Sequence, residues 1–253
     1  MTNAVILSAG QGKRLSPLTD DRPKCLVEIG GRTILEWQLS ALAAAGVRDI
    51  AVVTGFCSDS VSAAIKTLAV DARVEVVLNP FYAVADNVGS CWAAKDLFGA
   101  DTLLMNGDTI FDVDIARRVL REAETGVSVT VDVKDHYDSD DMKVKFEGRR
   151  LLEIGKKIEG PFDGESIGML RFAGDGGALF RTALHRALSD PARLGTWYLS
   201  IIDEMAKEGH VGIVRLEGER WCEVDFPTDL PIAEATVATY RRSSAGTPKR
   251  WAV

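Results

Sequence analysis

The stretch that decides the fold is "AVILSAGQGKRLSPLTDDRPKCLVEIGGRTILEWQLSALAAAG", residues 4–46. Its start, Ala4 to Leu7, is apolar on both faces, as a strand covered on both sides must be, and it runs into a glycine turn. From Thr33 the apolar residues recur at helical spacing until Gly46 ends the pattern. Strand, glycine turn and helix usually open a phosphate site, yet this turn is neither common phosphate loop. A Walker loop needs GxxxxGK[ST], and a dinucleotide fingerprint needs a third glycine where Leu15 stands. What remains is a turn whose residues Ser8, Ala9, Gly10 and Gly12 can present backbone N–H groups to an anion, with Lys13, Arg14 and Lys24 following. Pro17 and Pro23 restrain the loop carrying these cations, an arrangement that costs stability unless an anion binds there.

Working outward, strands are predicted at 4–8, 49–55, 74–79 and 101–108, and helices between them at 33–46, 58–69 and 88–99. That alternation means parallel pairing, so the predicted fold class is α/β: a single-domain, doubly wound, mostly parallel (mixed) Rossmann-like sheet. After residue 126 the strands follow more closely: 126–133, a hairpin around Gly148, and 166–172. Helices near 175–189 and 197–208 come next, then a second hairpin around Gly218 and a last helix at about 228–242. Residues 1–125 form the expected nucleotide-binding part, 126–242 the acceptor-binding part, and 243–253 a loosely held tail.

Composition excludes several classes of function. A chain of 253 residues with 46% hydrophobic content can bury a large core, and a net charge of -7 argues against nucleic acid or an anionic membrane as partner. Cys25, Cys57, Cys91 and Cys222 show no CxxC spacing and read as reduced thiols. The start lacks the parts of a signal peptide and no apolar run is of spanning length, so a cytoplasmic location is expected. A homo-oligomer is left open.

In an open parallel sheet, ligands sit beyond the carboxyl ends of the strands. Asp108 ends the fourth strand, where a carboxylate suits a divalent cation that takes one or two carboxylates plus phosphate oxygens. The "DVD" at 112–114 imitates a metal motif, but Asp112 reads better as a helix cap. In "RWCEVDFPTDL", the two-residue period of a strand puts Glu223 and Asp225 on one face, and a shared metal is a reason for two like charges there.

Together these pieces resemble the nucleotidyltransferase family that includes sugar-1-phosphate nucleotidyltransferases and, closest, the bacterial phosphocholine and phosphonate cytidylyltransferases. The family's opening pattern, GxGxRLxPxTxxxPKxL, is met by Gly10, Gly12, Arg14, Leu15, Pro17, Thr19, Pro23, Lys24 and Leu26. The resemblance implies a Mg²⁺-dependent enzyme in which Asp108 and Asp225, with Glu223 beside them, hold the metal. It further implies that Arg14 grips the β and γ phosphates of a nucleotide, that Lys24 reaches the α phosphate and the acceptor's phosphate, and that Lys157 or its neighbour Lys156 binds the acceptor's phosphate. Lys24, Arg14, Asp108 and Asp225 are thus the expected catalytic set, acting by positioning and charge neutralisation with no protein nucleophile.

The spacing of Asn79, Tyr82, Asn87 and Ser90 looks like the choline-phosphate branch, which makes CTP the expected donor. Cytosine's amino group needs an acceptor, for which Asn87 or a backbone carbonyl near Ser8 is proposed. A small phosphorylated or phosphonylated acceptor is expected, such as phosphocholine or 2-aminoethylphosphonate. Trp92, Trp197, Tyr198 and Trp221 could cage a quaternary ammonium; Lys143 and Glu165 suit a zwitterionic acceptor, phosphocholine included, and Glu165 with Asp203 favours one bearing N–H or O–H groups. The competing readings are a sugar-1-phosphate nucleotidyltransferase using another nucleotide and a regulatory module that binds nucleotide without turnover.

Overall fold

The computed structural model describes residues 2–124 and 126–245. In chain order the strands and helices begin with β1 (Asn3–Ser8), β2 (Glu28–Ile29), β3 (Arg32–Thr33), α1 (Ile34–Ala44), β4 (Asp49–Thr54), α2 (Ser58–Thr67) and β5 (Arg73–Leu78). They continue with α3 (Asn87–Ala93), β6 (Asp101–Asn106), β7 (Thr109–Phe111), α4 (Val113–Glu122), β8 (Gly126–Asp132), β9 (Lys143–Glu147), β10 (Arg150–Gly155) and β11 (Gly164–Ala173). The chain ends with α5 (Gly176–Leu188), α6 (Tyr198–Lys207), β12 (Val211–Arg215), β13 (Trp221–Glu223) and α7 (Leu230–Ala245). The expected tail lies, from residue 246 on, outside the described residues.

The central sheet has nine strands in the order β5-β4-β1-β6-β11-β8-β12-β10-β9. β1 lies between β4 and β6, parallel to both, and alternate residues of β1 enter different cores: Val5 joins one packed by α3, α5 and α6, and Ala4 and Ile6 another packed by α1, α2 and α4. Burial on both faces is why this strand reads as an unbroken apolar run. α1 is set locally. Thr33 Oγ1 accepts from Glu36 N, and at the far end Gly46 N and Val47 N donate to Ala43 O and Leu42 O, both at 3.0 Å, satisfying the last carbonyls.

Two expectations are corrected here. The sheet is mixed, as expected, but not mostly parallel, because β11 inserts antiparallel between β6 and β8, and the β9–β10 hairpin continues antiparallel beyond β12. The segment around Gly218 is no hairpin. β12 joins the main sheet parallel to β8, while β13 pairs antiparallel with β7 in a separate ribbon, Glu223 opposite Thr109. That ribbon brings Glu223 to Asp225 back to the turn at the end of β6, where Val224 N donates to Asp108 O.

Candidate active site

The turn after β1 lets two cations converge. Gly12 adopts φ +77°, and a Cβ there would stand 2.7 Å from Lys24 Cβ, so glycine both makes the bend and admits the lysine. Thr19 Oγ1 donates to Gly12 O at 2.8 Å and Gln11 Nε2 to Thr19 O at 3.3 Å, closing the loop on itself. Buried Leu15 and Cys25 anchor two short 3-10 turns, Lys13–Leu15 and Lys24–Leu26, from which Arg14 and Lys24 project. Lys13 is exposed.

Lys24 is the centre. Its Nζ donates to Asp108 Oδ2 at 2.7 Å and to Asp225 Oδ1, with 13% of its side chain exposed. Burial works against its charge, but Asp108 and Asp225 outweigh burial and the Lys24 pKa is raised. Arg14 continues the series: Nη2 donates to Asp225 Oδ2 at 2.8 Å, Nη1 to Asp140 Oδ2 at 2.9 Å, and the guanidinium lies 4.8 Å from the Phe226 ring centre. Lys156 Nζ then meets Asp140 Oδ1 at 2.5 Å and lies 4.7 Å from the Trp197 ring centre. Cations and carboxylates therefore alternate as Asp108, Lys24, Asp225, Arg14, Asp140 and Lys156.

Backbone contacts hold the two expected metal carboxylates. Gln38 of α1, fully buried, donates through Nε2 to Asn106 O at 2.7 Å and Thr109 O at 2.9 Å, bracketing the turn that carries Asp108. A Cβ on Gly107 would strike Ser8 Oγ and the Leu7 carbonyl, so only glycine lets that turn lie against β1. Val224 N donates to Asp108 O at 3.2 Å, and Asp229 Oδ2 accepts from the backbone N–H groups of Asp225 and Phe226, both at 2.7 Å. Glu223 lies behind: burial, then Asp108 and Asp225, push its carboxyl up to about 8.

Asp108 Oδ1 is buried without a protein partner. Among the described residues no group of three or more His, Cys, Asp or Glu is arranged to hold a metal. Two carboxylates, one oxygen unspent and no finished cage fit a hard divalent cation that keeps water and substrate oxygens in its shell.

Two clefts meet at this centre. One of about 520 Å³ is lined by Ala9, Gly10, Tyr82, Asn87, Asn106 and Asp108. The other, about 660 Å³, includes Lys134, Asp140, Trp221, Glu223, Asp225 and Phe226 in its lining.

Several expected binding residues are committed elsewhere. Ser8 is buried with its hydroxyl against Gly107, and buried Asn79 donates through Nδ2 at 3.1 Å to the hydroxyl of Ser90, which itself lines the first cleft. Asn87 Oδ1 accepts from Tyr198 N at 2.8 Å at the start of α6, so it cannot also take a cytosine amino group along that direction; the free end of this amide is its NH₂. Tyr198 is fully buried, its hydroxyl donating to Asn106 Oδ1 at 3.2 Å, and is a core residue rather than a wall of the acceptor pocket. Lys143 Nζ donates to Asp138 O at 2.8 Å and braces the β8–β9 loop, while Lys157 is exposed and it is Lys156 that reaches the ion-pair series. Glu165 is buried against Lys134 at 2.5 Å, its carboxyl pushed by burial up to about 8 although Lys134 pulls the other way. Asp203 accepts from Ile154 N at 3.0 Å and pairs with Lys207 at 2.6 Å. As expected, Asp112 caps α4, accepting from Asp114 N at 3.2 Å. Asp140, Gln38 and Phe226 were invisible to the sequence reading, since each gains its meaning only from a partner brought in by the fold.

The model of the MobA-like NTP transferase domain matches residues 4–189. A CTP:phosphoglutamine cytidylyltransferase of Campylobacter jejuni is 25% identical, the match covering 91% of this chain and 98% of that one. A bifunctional IPC transferase and DIPP synthase of Aquifex aeolicus is 30% identical over 91% of this chain, which spans about half (50%) of that relative's length. Among solved structures, a CTP:phosphocholine cytidylyltransferase from Streptococcus pneumoniae superimposes with a TM-score of 0.76 at 20% identity, covering 93% of this chain and 99% of that one, and shows a common fold. The chain belongs to the MobA-like NTP transferase domain family and is a nucleotidyltransferase.

Proposed function

We propose that the protein transfers CMP from CTP to a small phosphorylated or phosphonylated acceptor and releases pyrophosphate. The observation that carries this reading is Lys24, held between Asp108 and Asp225 where the two clefts meet, with Arg14 and Lys156 on either side of Asp140. The nucleotide lies in the cleft of Ala9, Gly10 and Asn87, its phosphates toward Arg14 and Lys24. Lys156 takes the acceptor's phosphate or phosphonate. An oxygen of that group attacks the α phosphorus, the bond to the β phosphate breaks, and pyrophosphate leaves with the electron pair. Asp108 and Asp225 would hold Mg²⁺, which supplies charge neutralisation on the phosphate oxygens. Lys24, largely buried and fixed by two carboxylates, meets the charge that develops around the α phosphorus, a role for a preorganised cation. CTP as donor is favoured by the cytidylyltransferase relatives in both comparisons.

The acceptor is one bearing N–H or O–H groups rather than a quaternary ammonium. Each aromatic ring offered for a cage is engaged or hidden: lysine ammonium groups stand over Trp92 (Lys95), Trp197 (Lys156) and Trp221 (Lys134), and Tyr198 is buried. The amino-acid-derived phosphate named for the Campylobacter relative belongs to the same acceptor class. Pyrophosphate release measured over a grid of nucleoside triphosphates and phosphorylated acceptors tests the reading. Turnover confined to a nucleotide other than CTP, or to sugar 1-phosphates, would refute it.

A further inference from the structure

One carboxylate outside the expected catalytic set stands between two cations that the proposed reaction assigns to different substrates. Asp140, on the loop between β8 and β9, binds Arg14 Nη1 through Oδ2 at 2.9 Å and Lys156 Nζ through Oδ1 at 2.5 Å. We infer that Asp140 is an internal stand-in for substrate phosphate, holding Arg14 and Lys156 in the free protein and yielding them when phosphate oxygens arrive. The inference rests on the reading of Arg14 and Lys156 given above.

The geometry is that of an oxyanion bridging two cations, one oxygen to each, which is also how a phosphate group would engage them. The exchange is feasible because both partners of the Arg14 pair are about half exposed, with side-chain exposures of 49% and 44%, so Asp140 returns to water when displaced. Such pairs are weak, and a polyanion competes with them readily. Asp140 is not needed to keep the cations in place. Arg14 retains Asp225 at 2.8 Å and the Phe226 ring, and Lys156 retains the Trp197 ring. Nor can its neighbour replace it: Asp141 accepts from Asp138 N at 2.8 Å and pairs with Lys134 at 3.3 Å. Removing the Asp140 charge therefore frees two cations without loosening them.

The test is calorimetric binding of pyrophosphate to the full chain and to Asp140→Asn, Asp140→Ala and Asp140→Glu at matched ionic strength, with steady-state kinetics beside it. Loss of the exposed pair that competes for Arg14 predicts pyrophosphate binding tighter by about 1.4- to fivefold in the Asn and Ala variants. The Glu variant should bind like the unaltered protein, and KM for the nucleotide should fall in the Asn variant while kcat does not rise. Unchanged or weaker pyrophosphate binding in a folded Asn or Ala variant overturns the inference even if CTP is turned over. Tighter binding with no turnover of any nucleotide upholds the exchange and refutes the reaction.

Discussion

Gln38 gives the sharpest test of how the fold presents Asp108. Its NH₂ group donates to the carbonyls of Asn106 and Thr109, while its Oε1 is buried without a partner. Gln38→Leu keeps most of the volume and deletes both donors. Two buried carbonyls deprived of a partner cost about 1–3 kcal/mol each, and loss of the orphaned oxygen returns roughly the same amount once. The net loss is about 1–3 kcal/mol, which for a chain of this size lowers Tm by roughly 2–12 °C. Gln38→Glu is the stronger change despite its closer shape, because at neutral pH it places acceptors against two carbonyls and buries a charge. Activity should fall further than stability in both variants, since a catalytic group displaced by about 1 Å can lose 100-fold in rate. Thermal melts and pyrophosphate release, run on the same preparations, give the order: unaltered protein, then Leu, then Glu. A Glu variant as stable and active as the unaltered protein would refute the bracketing role.

Lys24→Ala should lower kcat by about 100- to 1,000-fold while weakening CTP binding far less, as loss of a transition-state charge partner does; near-normal turnover would sink the role. Asp108→Asn and Asp225→Asn should each abolish most Mg²⁺-dependent activity, and the double variant should be little worse than either, because groups acting as a unit are not additive. Fully multiplicative losses would mean separate roles. Glu165, raised by burial from 4.5 to about 8, binds its proton more tightly folded than unfolded, so the stability it contributes is complete below about pH 4.5 and lost as pH rises through about 8. Melts from pH 4 to 9 should show that fall, and Glu165→Gln should remove it; an identical pH profile in the Gln variant refutes the assignment. Among acceptors, kcat/KM for phosphocholine should lie below those for phosphoethanolamine and 2-aminoethylphosphonate, and a clear preference for phosphocholine would reverse the reading of the aromatic faces.

Much of this was legible in the sequence wherever a local pattern fixed the outcome. The apolar run of β1, the helical pattern that starts at Thr33 and the Asp112 cap each depend on residues within a few positions, and each formed as read. Lys24 and Asp108 were likewise marked by their places in a glycine loop and at a strand end. The failures share one cause: a side chain's partner was distant in sequence. Glu165 looked available for an acceptor until Lys134 came to it, Asn87 looked like a base acceptor until α6 delivered Tyr198 N, and Lys143 was taken by carbonyls of its own loop. The Gly218 segment failed for a related reason. Its spacing suits a hairpin, but its two halves find better partners in β8 and β7.

Under the proposed reaction, a chain with a net charge of -7 would need a local exception to its own field to take two phosphate-bearing substrates, and the alternating series provides one. Each cation of the series is neutralised by a carboxylate in the free protein. In the proposed reaction each carboxylate would also be exchangeable: Asp108 and Asp225 would turn from Lys24 to a divalent cation, and Asp140 from Arg14 and Lys156 to water. Substrate binding would then swap ion pairs rather than create charge, and the cations would meet phosphate already anchored, Lys24 by its buried stem, Arg14 by Phe226 and Lys156 by Trp197. If that is how the site works, nucleotide binding should depend on salt more weakly than three unpaired cations would demand, because the carboxylates released take up part of the charge. Binding isotherms of CTP between low and high salt measure that dependence, and Asp140→Asn should steepen it by about one cation's worth. An unchanged slope would mean that Asp140 leaves the charge balance of binding untouched, and the exchange would then have to be confined to Asp108 and Asp225.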